Sequence, residues 1–241
     1  RRVLFRSWIL RLQEEYPTSW EAILSAANTQ APLTLRVNNR RSTLGAYLEL
    51  LQTAGIQAKA NGPYGVDLAQ AVAVQRLPGF SDGMVSVQDG AAQMAAPLLL
   101  RELAGMKAPR LLDACAAPGG KTGHLLELSD AHVVALDIDS KRCLRITDNL
   151  LRIQVNADVQ TADAAYPDRW WDGKLFNGIL LDAPCTASGI VRRHPDVRCQ
   201  VLRPADHRAP FNYSHLVNLA LPHIDTPLVL HLNNDVNALE P

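Results

Sequence analysis

Residues 110–122 read RLLDACAAPGGKT: a short apolar run, an aspartate, four small residues, then Pro118, Gly119, Gly120, Lys121 and Thr122. An apolar run that meets a glycine pair, followed by a helical pattern at residues 124–128, is a strand, a tight turn and a helix. Glycines at such a turn let a ligand approach the backbone, and the amides that open the helix face it. The spacing is not G-x-G-x-x-G. Nor is it the G-x-x-x-x-G-K-[ST] phosphate loop, whose first glycine would fall on Cys115. A nucleoside triphosphate is therefore not the expected ligand.

The same rhythm continues downstream. Residues 133–136 predict a strand ending at Asp137, and residues 140–153 a helix. Residues 155–161 predict a weak strand ending near Asp163, and residues 175–181 a strand ending at Asp182. Strands alternating with helices predict a Rossmann-like α/β fold, a parallel sheet covered by helices. Ligands of such sheets bind at the carboxyl ends of the strands. Asp113, Asp137, Asp163 and Asp182 all fall there. Asp137 closes the second strand, the position about 20 residues on that grips ribose hydroxyls in dinucleotide folds. A ribose-bearing ligand with an adenine follows. The competing reading makes Asp137 a helix cap, a role open equally to Asp139 or Ser140.

Upstream, residues 1–105 read as a small α+β module. Trp8, Leu10, Leu12 and Tyr16 share a helical pattern, and Thr18 with Glu21 is a capping-box signature for a second helix ending near Asn28. Leu33, Leu35 and Val37 alternate with polar residues as in a strand. Ser42 or Thr43 caps a helix carrying Leu44, Leu48 and Leu51, which Gly55 stops. Residues 71–77 and 84–87 predict strands around the Pro78-Gly79 turn, and residues 91–103 a helix. Residues 106–198 hold the α/β core. Residues 199–241 change composition: they have no glycine and no lysine, but five prolines and His207, His215, His223 and His231. Those histidines recur every eight residues, and a straight element at that spacing keeps them from converging on one metal ion.

The 24 basic and 24 acidic side chains balance, which argues against a tail-driven nucleic-acid binder but leaves room for a local basic groove. Among the basic residues 19 are arginine, whose planar fork suits phosphate. Cys115, Cys143, Cys185 and Cys199 form no C-x-x-C pair, so neither a zinc site nor a disulfide framework is expected. A reducing, cytoplasmic setting is the default. No apolar run approaches the roughly 20 residues that cross a bilayer.

Asp182-Ala183-Pro184-Cys185 sits at a strand end in the expected crevice. Alone, Cys185 reads as a buried turn cysteine. Beside a ligand crevice it becomes a candidate thiolate nucleophile. Arg192, Arg193 and His194 lie just downstream, placed to lower its pKa or to contact phosphates.

Several segments together resemble the RNA cytosine-C5 methyltransferase family, and within it the Sun/Fmu-type bacterial enzymes of 16S ribosomal RNA. They are residues 113–122 (DACAAPGGKT), Asp137-Ile138-Asp139, Asp163, residues 181–185 (LDAPC), Ser188-Gly189 and Arg193-His194-Pro195-Asp196. Pro78-Gly79-Phe80 and Val87-Gln88-Asp89 match the family's approach segment. The resemblance covers about residues 5–198. It implies that Cys115, Ala116, Ala117, Pro118, Gly119, Gly120 and Lys121 wrap S-adenosylmethionine. It further implies that Asp137 holds the ribose, Asp163 lies near the adenine, and Asp182 lies near the methionine part and the target base. Residues 1–105 become an RNA-binding approach module, with Arg192, Arg193 and His194 on the RNA. The implied partner is ribosomal RNA, with no membrane and no metal, and a monomer is expected.

The implied chemistry has a physical reason for cysteine. Cytosine C5 is a poor nucleophile, and a thiolate adding to C6 makes it an enamine carbon able to attack the methyl sulfonium. Asp182 would protonate or hydrogen-bond N3 as charge develops. In the family the nucleophile stands in a later Thr-Cys-Ser, and the Pro-Cys cysteine assists release. No Thr-Cys-Ser occurs in this sequence, and Asn233 falls where the nucleophile would stand. Three expectations follow: a methyltransferase by descent, a remnant that binds cofactor and RNA without catalysis, or an enzyme with Cys185 as nucleophile. The break after Arg198 predicts a truncated or frameshifted C-terminal segment and an incomplete sheet. The non-Met start predicts the middle of a longer RNA enzyme, without the family's N-terminal helical domain.

Overall fold

The computed structural model describes residues 6–183 and 229–231. Two helices, α1 (Arg6–Glu15) and α2 (Trp20–Ala27), belong to one compact unit; Pro32–Ala183 and the strand at residues 229–231 belong to a second. The helix α2 starts one residue later than the capping box predicts, on Ser19, which makes no side-chain capping bond.

The second unit begins with an antiparallel sheet. Its strands are β1 (Leu33–Val37), β2 (Ala58–Asn61), β3 (Gly65–Leu68) and β4 (Val85–Val87), in the order β2-β3-β1-β4. The helix α3 (Leu44–Thr53) precedes β2, and Thr43 caps it by accepting from the Ala46 amide at 3.2 Å. Leu35, Val37, Tyr47, Leu51, Val66, Leu68, Leu77 and Val85 form its core. Residues 71–77 are not the predicted strand. They run as coil into a 3-10 turn, Val74–Arg76, and Val72, Val74 and Leu77 fill the core without joining a ladder. The pairing falls instead to β2 and β3. The sequence of β2, Ala-Lys-Ala-Asn, lacks the β-branched and aromatic residues that mark strands.

The parallel sheet follows. After α4 (Ala95–Glu102) come β5 (Arg110–Asp113), α5 (Gly120–Leu128), β6 (His132–Asp137), α6 (Ser140–Ile153), β7 (Asp158–Thr161), β8 (Gly178–Leu181) and β9 (Val229–His231). The order is β7-β6-β5-β8-β9 with every pair parallel. Successive residues of a strand face opposite sides. Leu111, Val133, Ala135 and Leu180 therefore join the core under α4, α5 and α6. Leu112, Val134, Leu136, Ile179 and Leu181 meet Phe176 with Trp170 and Trp171 on the other side. The sheet does not stop at β8: β9, from the compositionally distinct segment, adds a strand beside it. From β5 the chain moves outward through β6 to β7, then returns to place β8 on the other side of β5. The topological switch lies between β5 and β8, where ligands of such sheets bind.

Candidate functional site

The site begins with backbone geometry. The loop after β5 is anchored to both neighbours of β5, by the Ala114 amide on the Leu180 carbonyl of β8 (2.9 Å) and the Ala116 amide on the Leu136 carbonyl of β6 (2.8 Å). The Ala117-Pro118 peptide is cis. Gly119 then takes φ +91° as the residue before α5, a left-handed conformation that suits glycine. A Cβ there would stand 3.1 Å from Ile146 Cγ2 and 3.2 Å from Ile146 Cα. The chain can thus turn directly into the amides that open α5.

Around this loop the strand ends supply acids. Asp137 is buried at the end of β6. Its Oδ2 accepts from the Ala117 amide (3.2 Å) and its Oδ1 from the Asp139 amide (3.1 Å). Arg142, in the first turn of α6, stands 3.4 Å from Asp137 Oδ2 and donates to the Ala117 carbonyl at 3.1 Å. Asp137 does not cap α6; Asp139 does, accepting from the Lys141 amide at 2.8 Å. Asp182, just past β8, pairs with Lys121 Nζ. Asp163 follows β7, and its Oδ1 accepts from the Ala165 amide at 2.9 Å.

Asp113 closes β5, fully buried, with Oδ2 accepting from Thr122 Oγ1 at 2.6 Å. Burial pushes its carboxyl up to about 6, against the Thr122 hydrogen bond and the Lys121 charge that lower it. Asp113 Oδ1 and Asp182 Oδ1 are buried without a hydrogen-bond partner among the described residues. Such orphaned acceptors are expensive to bury and suit a ligand that brings donors. Cys115 stands among these acids. Burial, with Asp113, Asp137 and Asp182 adding negative charge, pushes its thiol up to about 12. That shift disfavours the thiolate, the nucleophilic form.

The structure therefore brings together the loop from Cys115 through Ala116, Ala117, Pro118, Gly119 and Gly120 to Lys121 with Asp137 and Asp182 at the switch, and sets Asp163 at the end of the neighbouring β7. Cys185, Arg192, Arg193, His194 and Asn233 lie outside the described residues. Asp113, Thr122 and Arg142 complete the arrangement without having been assigned a role from sequence. Asp113 carried a signal, as a strand-end acid; Arg142 carried only its place in the turn after Asp137. Among the described residues no group of three His, Cys, Asp or Glu could hold a metal ion, and no helix is long and apolar enough to cross a membrane.

Comparison with known proteins gives two family matches. Residues 101–218 match the model for "16S rRNA methyltransferase RsmB/F", and residues 6–75 the model for the ferredoxin-like domain of RsmF/B-like methyltransferases. The ribosomal RNA small subunit methyltransferase B of Pseudomonas syringae pv. tomato is 50% identical over 196 residues, covering 79% of this chain and 43% of the relative. The Vibrio cholerae protein of the same name is 46% identical over 203 residues, covering 83% and 45%. The chain spans less than half the length of these relatives. In fold it is similar to a methyltransferase homolog from Pyrococcus horikoshii, with a TM-score of 0.68 and 23% identity over 92% of this chain and 74% of that one. NSun6 from Pyrococcus horikoshii aligns with a TM-score of 0.65 and 16% identity over 76% and 71%.

Proposed function

We propose that this chain, which belongs to the 16S rRNA methyltransferase RsmB/F family, binds S-adenosylmethionine at the β5/β8 switch and methylates C5 of a cytosine in small-subunit ribosomal RNA. The observation that carries this reading is the constellation at the switch: a left-handed Gly119 opening α5, Asp137 bracing the loop, and Lys121 paired with Asp182. The residues present suit the cofactor. The orphaned Asp113 Oδ1 would accept from its amino group, Asp182 would lie beside the methionine part, and the loop from Cys115 to Lys121 would follow its backbone-facing side. Asp137 would hold the ribose, and Asp163 the adenine. When bound, S-adenosylmethionine supplies the electrophilic methyl group.

The chain's own residues then handle the base. Lys121 engages Asp182 Oδ2 and leaves Oδ1 for a second partner, which we assign to the N3 side of the cytosine. Addition at C6 develops negative charge at N3, and Asp182 would meet it by donating a proton to that nitrogen. Burial and its three acidic neighbours disfavour a thiolate at Cys115, and we assign the attack to Cys185, two residues beyond the described Ala183. Arg192, Arg193 and His194 would contact the RNA phosphates and favour the Cys185 thiolate. The target base must leave its stack, which looped RNA permits at low cost. The setting is cytoplasmic, with ribosomal RNA as partner.

The lack of a Thr-Cys-Ser in this sequence favours a second reading, binding of cofactor and RNA without catalysis. Two measurements separate them. Calorimetric titration of the folded chain with S-adenosylmethionine should show one site; no heat of binding overturns both readings. Incubation with 5-fluorocytosine RNA and cofactor should trap a covalent adduct that Cys185→Ala abolishes. Cofactor binding with no adduct establishes the second reading instead.

A further inference from the structure

Arg36 lies in the middle of β1, between Leu35 and Val37, which point into the core of the antiparallel sheet. Its own side chain points the other way, and its guanidinium is 1% exposed. Nε and Nη2 donate to the two carboxylate oxygens of Glu127, at 2.9 and 2.7 Å. Nη1 donates to the Gly120 carbonyl at 2.7 Å and to Gln88 Oε1 at 2.5 Å. Gly120, Gly123 and Glu127 stand at i, i+3 and i+7, one face of α5. A Cβ on Gly123 would stand 3.5 Å from Arg36 Nη2 and 2.7 Å from Ile153 Cδ1, so a bare glycine keeps this face open for the guanidinium.

We infer that Arg36 is a positioning residue for the cofactor loop, holding the Gly120 carbonyl and Glu127 at once and so fixing where α5 begins. The antiparallel module thereby supports the cofactor site without contributing a group to it. An ion pair that served stability alone could be replaced by apolar residues of similar volume at little cost. The bond to the Gly120 carbonyl is what an apolar pair cannot supply. It acts one residue from Gly119 and one from Lys121, both placed in the cofactor site above. The inference rests on that reading of the site, and its test separates the two.

The test compares the whole chain with the double variant Arg36→Met/Glu127→Leu, which removes both buried charges together. Urea unfolding should show a smaller loss than for Glu127→Leu alone, because no buried charge is left unpaired. Amide exchange at Gly119 and Gly123, read without cofactor, should quicken about tenfold, and the Kd for S-adenosylmethionine should rise by about the same factor. Arg36→Lys keeps the charge but loses the fork. It should show the same split, and it stands in if the double variant does not fold. Parent-like loop exchange in either folded variant overturns the positioning role. Absence of cofactor binding by the parent overturns the proposed function alone, because loop exchange still decides for or against Arg36.

Discussion

Between the two sheets, Glu127 has both carboxylate oxygens on Arg36, and Arg152 donates to the Phe80 and Val85 carbonyls and Ser86 Oγ while stacking on Phe80. At the carboxyl edge of the parallel sheet, Asp113 and Asp182 each keep one buried oxygen without a described partner. Both regions bury charge. In the first each of these charged groups is answered by another protein group, as stability requires. In the second the described residues leave acceptors unanswered, and the cost is borne where a ligand can answer them. Satisfaction of buried charged groups thus distinguishes a structural seam from a binding edge within one compact unit.

The sharpest way to break this contrast is Glu127→Leu. It leaves the Arg36 guanidinium buried without its carboxylate, and the loss should be about 3–5 kcal/mol. Urea unfolding measures it, and a loss below about 1 kcal/mol would show that the seam is not held by charge.

At the edge the sign reverses. The Asp113 carboxyl sits at about 6 in the fold, above its ordinary 3.8, so the folded state holds the proton more tightly. Its contribution is favourable at low pH and is lost as pH rises from about 4 through 6. Asp113→Asn keeps an acceptor for Thr122 and removes the ionised form. It should therefore stabilise the chain by about 3 kcal/mol at pH 8 and leave it nearly unchanged at pH 4. Thermal melts at the two pH values decide, and an equal gain at both would refute the burial argument. Weaker cofactor binding by the same variant would place its cost in function.

His124, in α5, tests the seam from its apolar side. Both ring nitrogens are buried without a described partner, and the ring meets Tyr64 edge-on at 5.3 Å. Burial, then the Arg36 charge, pushes the imidazole down to about 2 from 6.5. Stability from a neutral His124 is present above pH 6.5 and is lost as pH falls toward 2. His124→Phe keeps the edge-on ring and removes the titration. At pH 5 it should gain about 2 kcal/mol over the parent, with little change at pH 8. Unfolding curves at both pH values measure the difference, and an unchanged acid limb would sink the assignment.

These regions also differ in how far they could be read from sequence. The carboxyl edge was legible because its signals are local: a glycine pair after a strand, and acids where strands stop. The α6 helix matched its predicted span for the same reason, having its cap, period and apolar stripe within one segment. The seam was not legible. Thr34 and Arg36 alternate with Leu33, Leu35 and Val37 and read as the solvent side of a strand, yet both are buried. What covers Arg36 is α5, more than 80 residues away in sequence, and a period of two cannot tell water from a distant helix. The β2 strand escaped for a related reason, since its pairing with β3 is specified by register rather than by its own residues.

Gly119→Ala is the smallest change and the most local. At φ +91° a Cβ costs about 1–2 kcal/mol before any contact is counted. The new methyl would also stand 3.1 Å from Cγ2 of the fully buried Ile146, which has little room to give. The fold can absorb this by moving the loop, because Gly119 precedes α5 rather than lying inside it. Movement there shifts the Gly120 and Lys121 backbone and the pairing of Lys121 with Asp182. The loss of stability should therefore be about 1–2 kcal/mol by urea unfolding. The loss of S-adenosylmethionine affinity by titration should be at least as large in free-energy terms. For Glu127→Leu the order is the opposite, because its main cost is the Arg36 charge left buried without a carboxylate. A Gly119→Ala chain that loses stability and keeps full cofactor affinity would show that the loop does not carry the ligand.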